Sequence, residues 1–270
     1  MTLPAHWEGE PVRVWASLWG IPLLEAHEVL DSTNDRARRL AAEGALPFTV
    51  VLAEEQTRGR GRSGAVWHSP PGAGLWMSVL LPAPAGPETP HLPLLVGLAA
   101  ARACETALPE VRIGVKWPND LEVAGRKVGG ILCERVPTGV VAGIGLNVRV
   151  PPGGFPDELA GRATALETPG GTRVRRSALA GALLGELRAL CHTPGARLRP
   201  ELLEELAGRD VLLGRRVDTR QAGEGRALGI AGDGALVLER PDGGEVRVVA
   251  GSVRALEGHR RAGRRGPVHG

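Results

Sequence analysis

The sequence predicts an α/β protein in which a mixed, mainly antiparallel sheet with helices on one side is followed by a small SH3-like β-barrel. Helix-like and strand-like patterns are mixed over the first part of the chain. Residues 111–149 contain successive strand-like runs separated by Ala-Gly-Arg and Pro-Thr-Gly turns, as in an antiparallel meander. Residues 211–257 contain short strand-like runs separated by Gly-Asp-Gly and Pro-Asp-Gly-Gly turns. We therefore expect a main domain over 1–208, a barrel over 209–258 and a disordered basic tail over 259–270.

The individual elements follow in chain order from periodicity and capping residues. Residues 1–30 have little regular pattern beyond Trp7, Trp15 and Trp19, which we expect to anchor the core. A helix of about 33–43 is expected because Ser32 can cap its start and Gly44 can end it. The remaining predictions are strands at 48–55 and 74–81, a loop at 56–69, and helices at 92–107, 177–192 and 200–208.

Length and composition exclude several classes of protein. The chain has 270 residues, 43% of them hydrophobic, which is enough for one large and one small domain. Cys104, Cys133 and Cys191 include no close-spaced pair, which argues against zinc or a disulfide and favours reduced thiols in the cytoplasm. The longest charge-free stretch near the start, residues 14–24, is too short to span a bilayer. We therefore expect no membrane segment and no signal peptide.

The basic residues are distributed unusually between arginine and lysine. The net charge is +3 and the pI is 9.1, which alone would be compatible with nucleic-acid binding. Of 33 basic residues, however, Lys116 and Lys127 are the only lysines. A codon bias explains such a skew most simply, but a retained lysine can also mark a site that needs a compact ammonium group.

The segment at 58–64, RGRGRSG, is the first candidate for chemistry. Glycines let backbone N–H groups approach an anion, and guanidinium groups bind carboxylate or phosphate oxygens in pairs. Such a loop can close over a nucleotide. It lacks the closing Gly-Lys-Ser/Thr of a Walker A motif and does not match the dinucleotide-binding glycine pattern. An RGG-like RNA-binding tract and a merely solvated loop remain open at this point.

A second candidate site is formed by VKWPND at 115–120 and RKVGGI at 126–131. Pro118 ends the strand, so Lys116, Asn119 and Asp120 can gather at its end. Lys127 begins the returning strand, and the glycines at 129–130 leave room for a ligand to lie on the sheet. An amine, an amide and a carboxylate could together hold a phosphate and its metal. A structural hairpin with a salt-bridged lysine explains the same residues.

Five motifs together resemble the biotin protein ligase (biotin–acetyl-CoA-carboxylase ligase) family. They are STN at 32–34, AEEQTRGRGRSG at 53–64, VKWPND at 115–120, GRKVGGIL at 125–132 and GIGLNV at 143–148. The motifs cover about residues 28–150, and the β-rich segment 211–257 resembles the family's C-terminal barrel. The resemblance implies a core like that of class II aminoacyl-tRNA synthetases. Since about 27 residues precede the first motif, it also implies the monofunctional class without an N-terminal DNA-binding domain, and hence no DNA partner.

The resemblance implies a two-step reaction. Biotin and ATP, with Mg²⁺ on the phosphates, would give biotinyl-5′-AMP and pyrophosphate. The biotinyl group would then pass to a lysine of a biotin carboxyl carrier protein of acetyl-CoA carboxylase or a related carboxylase. A cytoplasmic location and a possible homodimer through the sheet edge complete the expectation.

By the same resemblance, site residues can be carried over position by position. Those implied to contact biotin are Ser32, Thr33, Asn34, Gln56, Arg60, Gly61, Arg62, Lys127, Gly129 and Gly130. Those implied to contact ATP are Arg60, Arg62, Trp67, Lys116, Asn119, Lys127 and Asn147. The implied catalytic set is Arg62, Lys116, Asp120 and Lys127, with Asp120 assisting the acceptor amine or ligating Mg²⁺. Trp76 is a further candidate, beside Trp67, for closing the pocket.

Two alternatives are retained. A lipoate–protein ligase shares the adenylation strategy and a similar fold, but the RGRGRSG loop with the two hairpin motifs favours biotin. A basic nucleic-acid-binding module is the other alternative. It is weaker because aromatic residues make up 3% of the chain and tyrosine is absent, which leaves few stacking platforms for bases.

Overall fold

A computed structural model of the chain describes residues 6–83, 91–167, 171–191 and 198–256, so the expected tail at 259–270 lies outside the described residues. In chain order the strands are β1 (His6–Trp7), β2 (Glu10–Pro11), β3 (Leu24–Leu30), β4 (Val50–Gln56), β5 (Gly74–Pro82), β6 (Gly114–Lys116), β7 (Asp120–Val123), β8 (Arg126–Val136), β9 (Gly139–Asn147), β10 (Arg216–Thr219), β11 (Gly223–Ile230), β12 (Leu236–Glu239), β13 (Glu245–Val248) and β14 (Val253–Ala255). The helices are α1 (Val12–Leu18), α2 (Thr33–Ala42), α3 (Leu92–Ala107), α4 (Arg176–Cys191) and α5 (Pro200–Arg209).

The central sheet has seven strands in the order β3-β4-β5-β9-β8-β7-β6. β3 and β4 are parallel, and every other neighbouring pair is antiparallel. The predicted meander corresponds to β6–β9. The sheet is therefore mixed and mainly antiparallel, as the sequence predicts.

Helices cover both faces of this sheet, which corrects the expectation that they pack on one side. The residues of β4 alternate: Val50 and Leu52 belong to the core that contains α3 and α4, whereas Val51 and Ala53 pack against α2. α2 is short and polar at its first turn, so it covers only part of its face. The uncovered part of that face is available for a site.

The N-terminal segment packs into the core through its tryptophans. Trp7, Trp15 and Trp19 are buried, and Trp7 meets the other two rings edge-on at centroid distances of 6.3 and 5.9 Å. Their expected role as core anchors is confirmed. The short hairpin β1–β2 and helix α1, which carry these residues, have no clear sequence pattern.

The C-terminal part forms a five-stranded antiparallel sheet in the order β13-β12-β11-β10-β14. It contacts the central sheet at the 115–120 motif, where Trp117 Nε1 donates to Gly234 O at 2.9 Å. The predicted fold class, a mixed α/β core followed by a small β domain, is confirmed. The boundary between 208 and 209 stays a prediction. No helix of the described residues is long and apolar enough to cross a bilayer.

Candidate functional site

A cavity of about 490 Å³ opens on the sheet face that carries α2. Its walls are the start of α2, the arginine-rich loop, the glycine-rich strands β8 and β9, the turn between β6 and β7, and residues 251–253 of the C-terminal part. Most sequence-predicted site residues line it: Ser32, Thr33, Asn34, Gln56, Arg60, Gly61, Arg62, Trp67, Lys116, Asn119, Asp120, Lys127 and Gly130. The fold thus brings together motifs that are nearly a hundred residues apart.

The first turn of α2 presents a fixed set of polar groups. The Ser32 hydroxyl accepts the Asp35 N–H at 3.4 Å and caps the helix. The backbone N–H and hydroxyl of Thr33 both donate to Gln56 Oε1, at 2.9 and 3.1 Å. The Ser78 hydroxyl lies 2.8 Å from Thr33 Oγ1 and 2.6 Å from Asn34 Oδ1. These hydrogen bonds therefore hold the side chains of Thr33, Asn34 and Gln56, which line the cavity, in fixed positions.

The arginine-rich loop folds back as a small hairpin. The Gly61 N–H donates to Ala65 O at 2.7 Å, and the Trp67 N–H donates to Gly59 O at 2.9 Å. A Cβ at Gly59 would collide with Trp67 O, so this position requires glycine. Ser63 takes a left-handed conformation at φ 53° within the short 3₁₀ turn at the tip. The hairpin aims the neighbouring arginines in different directions.

Arg60 and Arg62 have different partners. Arg60 Nη2 donates to Asp35 Oδ1 at 2.8 Å and to Glu134 Oε2 at 2.7 Å. Arg62 Nη1 donates to Gly251 O at 3.0 Å, so the loop is joined to the C-terminal part. Burial lowers the pKa of the Arg62 guanidinium, and the nearby Asp120 carboxylate opposes this shift. An arginine starts so far above neutrality that Arg62 keeps its charge.

Glycines form the floor of the cavity, and an indole lies on them. A Cβ at Gly145 would be 2.5 Å from Cε2 and Nε1 of Trp67, and one at Gly130 would be 3.0 Å from Cζ3. The space that the sequence assigns to a ligand above Gly130 is thus partly taken by the Trp67 ring. Trp76 is 1% exposed and meets Trp67 edge-on, so it supports that ring from within the core and does not line the cavity.

A β-bulge sets the direction of Lys127. In the pairing of β7 with β8, Leu121 faces Gly129 and Glu122 faces Lys127, so residue 128 is unpaired. The extra residue places Lys127 on the same side as Gly130. Lys127 Nζ lies 2.6 Å from Asp120 Oδ1 and 5.1 Å from the centroid of the Trp67 ring.

Strand alternation corrects the prediction for Gly129, because consecutive residues of a strand point to opposite faces. This residue faces the core, where a Cβ would lie 2.7 Å from Leu146 Cδ2. It is buried and does not line the cavity. Of the two glycines, only Gly130 faces the cavity as the sequence predicts.

The rest of the 115–120 motif is also held by specific partners. Lys116 Nζ lies 2.9 Å from Glu122 Oε1, and Asn119 Nδ2 donates to Ile131 O at 2.7 Å. Asn147 is 7% exposed, and its side-chain amide donates to Thr164 O at 3.0 Å. It does not line the cavity, so its contact with ATP stays a prediction.

Two arginines that sequence reasoning missed also line the cavity. Arg162 comes from the segment after β9, where its carbonyl accepts the Lys127 N–H at 2.8 Å, and Arg220 follows β10. Neither belongs to a motif, and only the fold brings them to the site. The described lining thus has six basic side chains (Arg60, Arg62, Lys116, Lys127, Arg162 and Arg220) and one carboxylate, Asp120.

The six cations fall into two groups. Arg60, Lys116 and Lys127 each form an ion pair with at least one carboxylate. Within the described part of the chain, Arg62, Arg162 and Arg220 form no such pair. The second group is therefore free of ion-pair contacts, and its positive charge attracts a polyanion.

The residues are compatible with Mg²⁺ carried by a phosphate ligand. No group of three or more metal-ligating side chains occurs in the described ranges. Mg²⁺ usually keeps several waters and needs only one or two carboxylates when substrate phosphates supply the other oxygens. Asp120, the carboxylate of the cavity lining, has the position and chemistry for that role.

Comparison with known proteins finds matches to both parts of the chain. Residues 26–150 match the biotin/lipoate A/B protein ligase family, and residues 208–254 match the biotin protein ligase C-terminal domain. The bifunctional ligase/repressor BirA of Bacillus subtilis is 37% identical over 227 residues, which cover 80% of this chain and 69% of that protein. The biotin–[acetyl-CoA-carboxylase] ligase of Mycobacterium tuberculosis is 35% identical over 231 residues, 82% of this chain and 85% of the relative. The chain belongs to the biotin protein ligase family.

Solved structures of biotin protein ligases share the fold. The Aquifex aeolicus biotin protein ligase, determined in complex with biotin and ATP, superposes with a TM-score of 0.74 at 28% identity and covers 87% of this chain and 100% of that chain. The Leishmania major biotin protein ligase in complex with biotinyl-5-AMP superposes with a TM-score of 0.60 at 26% identity. The superposition covers 88% of this chain and 99% of the Leishmania major chain. The family assignment therefore extends over both the central sheet and the C-terminal part.

Proposed function

We propose that this chain activates biotin with ATP to form biotinyl-5′-AMP and then transfers the biotinyl group to a lysine of a biotin carboxyl carrier domain. The observation that carries the proposal is the meeting, in one cavity, of an oriented polar cluster on α2 and six cationic side chains. The names of the Mycobacterium tuberculosis and Aquifex aeolicus relatives support biotin, ATP and a carboxylase as substrates.

Biotin is proposed to bind beside the first turn of α2. Its ureido ring needs both donors and acceptors, and Ser32, Thr33, Asn34 and Gln56 supply both within the cavity. Apolar side chains of the lining, including Met77 and Ile144, can contact the rest of the molecule. A cavity of about 490 Å³ is within the range of small-ligand sites.

The carboxylate of biotin is proposed to face the arginine loop. Arg60 lines the cavity, and its guanidinium is proposed to attract a carboxylate oxygen. Lys127 lies across the cavity floor and can neutralise either that carboxylate or the α-phosphate. In the first step a carboxylate oxygen attacks the α-phosphorus, the bond to the bridging oxygen breaks, and pyrophosphate leaves with its electron pair.

The triphosphate is proposed to lie against the cations that lack carboxylate partners. Charge grows on the phosphoryl oxygens and on the departing pyrophosphate during the first step, so fixed cations lower the barrier. Arg62, Arg162 and Arg220 can bind these oxygens without first giving up an ion pair. Bound Mg²⁺ would neutralise further phosphate charge, and Asp120 would be its protein ligand during this first step only.

In the second step, the acceptor lysine must attack the mixed anhydride as a neutral amine. Its nitrogen forms an amide with the biotinyl carbonyl carbon, and the bond to AMP breaks. We propose that Asp120 takes the proton that the amine loses, because it is the carboxylate of the described lining. Lys127 holds that carboxylate in place at 2.6 Å.

The partner is proposed to be the carrier protein of acetyl-CoA carboxylase or of a related carboxylase. Homodimer formation and a cytoplasmic location stay predictions. The lipoate alternative is not favoured, since residues 208–254 match the C-terminal domain of biotin protein ligases specifically.

The test is a comparison of carboxylic acid substrates. The protein is mixed with ATP, Mg²⁺ and either biotin or lipoate, and pyrophosphate release and the acyl-AMP retained on the protein are measured. A purified carrier domain is then added, and its mass is followed. We expect biotin alone to support both steps. Equal or greater turnover with lipoate, or none with biotin, would refute the proposal.

A further inference from the structure

Glu134 is a carboxylate on β8 that no motif of the sequence analysis singled out. A single oxygen of its side chain, Oε2, accepts hydrogen bonds from Asn34 Nδ2 at 2.8 Å and from Arg60 Nη2 at 2.7 Å. Asn34 is in the first turn of α2, and Arg60 is in the arginine-rich loop. Oε2 of Glu134 therefore links both the first turn of α2 and the arginine-rich loop to β8.

The Arg60 guanidinium is held from a second side by Asp35 of α2, at 2.8 Å. Arg38 approaches both carboxylates more distantly, at 3.6 Å from Asp35 and 4.0 Å from Glu134. The side chains of Glu134 and Arg60 are 21% and 36% exposed, so water screens their interaction only in part. Arg62, in the same loop, has no carboxylate partner in the described ranges. The two arginines of the loop thus have different electrostatic roles.

We propose that Glu134 is a positioning residue that fastens the arginine-rich loop to α2 before any ligand is bound. Arg60 makes this connection through Nη2, which donates to both Glu134 and Asp35. A loop that is already closed loses less conformational entropy when biotin and ATP bind. The consequence for substrate binding rests on the proposed function, whereas the ordering of the loop does not.

The experiment compares Glu134→Gln with a matched control, Glu186→Gln. Arg102 also bridges two carboxylates, Glu186 at 3.1 Å and Glu205, but it does so between helices away from the cavity. Each substitution removes the negative charge of one of two carboxylates that hold an arginine. Any general effect of losing such a pair should therefore be equal in the two variants.

Two readouts separate positioning from stability. Hydrogen–deuterium exchange of peptides covering residues 57–67 reports the opening of the loop. We expect Glu134→Gln to speed this exchange about five-fold in the free protein, and saturating biotin with ATP to remove the difference. The KM for biotin should rise by a similar factor while kcat changes less than about two-fold, since the loop still closes once ligand is bound. Glu186→Gln should match the wild type in both.

The proposal is overturned if Glu134→Gln leaves loop exchange unchanged, or if Glu186→Gln changes loop exchange and KM equally. If Glu134→Gln does not fold, as judged by circular dichroism, Asp35→Asn removes the other carboxylate and is measured in the same way. If the wild type releases no pyrophosphate with biotin, the proposed function fails. The exchange comparison then still decides whether Glu134 fastens the loop.

Discussion

Replacing Gly145 with alanine should displace Trp67 from the cavity floor. The new Cβ would lie 2.5 Å from Cε2 and Nε1 of the indole, whereas ordinary van der Waals contact begins near 3.4 Å. The ring must therefore move by roughly 1 Å, and overpacking of this kind costs about 1–3 kcal/mol. For a chain of this size each kcal/mol lowers Tm by about 2–4 °C. The loop hairpin should shift as well, since the Trp67 N–H binds Gly59 O.

The assay for Gly145→Ala combines a thermal melt with steady-state pyrophosphate release. We expect a lower Tm and a raised KM for both biotin and ATP, because the displaced ring enters the space that the ligands need. Gly97→Ala is the control: it is a buried glycine whose new Cβ would lie 3.7 Å from Leu121 Cδ2, an ordinary contact. It should melt at or above the wild-type temperature, because alanine favours a helix. Wild-type Tm and KM in Gly145→Ala would refute the assignment of Trp67 to the cavity floor.

Three further predictions concern charge. Lys127→Arg should lower kcat for pyrophosphate release about 10²-fold, because the larger guanidinium spreads its charge and does not place it at the position of Nζ, 2.6 Å from Asp120 Oδ1; wild-type kcat would refute this. Arg220→Gln should raise the KM for ATP about two- to five-fold and leave the KM for biotin unchanged; equal effects on both substrates would contradict a triphosphate contact. The Arg36 guanidinium holds the pKa of Glu25 below its usual value, so this carboxylate stabilises the fold above its ordinary pKa and stops doing so as the pH falls through its folded-state pKa. Glu25→Gln should therefore lower the free energy of unfolding in urea by about 1–3 kcal/mol at neutral pH, and the difference should narrow below about pH 4; a constant difference would contradict the reasoning.

The long amphipathic and strand-like elements could be predicted from the sequence because local patterns determine them. The expected helix at 92–107 is α3, and the expected strand at 74–81 is β5 with one residue more. β3 was missed because its burial pattern does not alternate and its partner β4 is parallel and 26 residues away. Parallel pairing leaves no turn signal in the sequence.

The candidate site could be predicted where its residues belong to motifs, and only there. Arg162 and Arg220 lie outside every motif and reach the cavity because distant segments pack together. Lys127 lies on the same side of the strand as Gly130 because of a single bulge residue, which periodicity alone does not reveal. The hydrogen bond between Arg60 and Glu134 also joins residues that are 74 positions apart in the sequence, so no local pattern predicts it.

The central claim is that an arginine loop and a bulged hairpin place their cations around one bound acyl-adenylate. A crystal structure of the protein with biotinyl-5′-AMP tests it most directly. The claim predicts the compound in the cavity between α2 and Trp67, with Arg62 and Lys127 each within hydrogen-bond distance of its carboxyl or phosphate oxygens. A compound bound elsewhere, with both side chains directed into solvent, would contradict it.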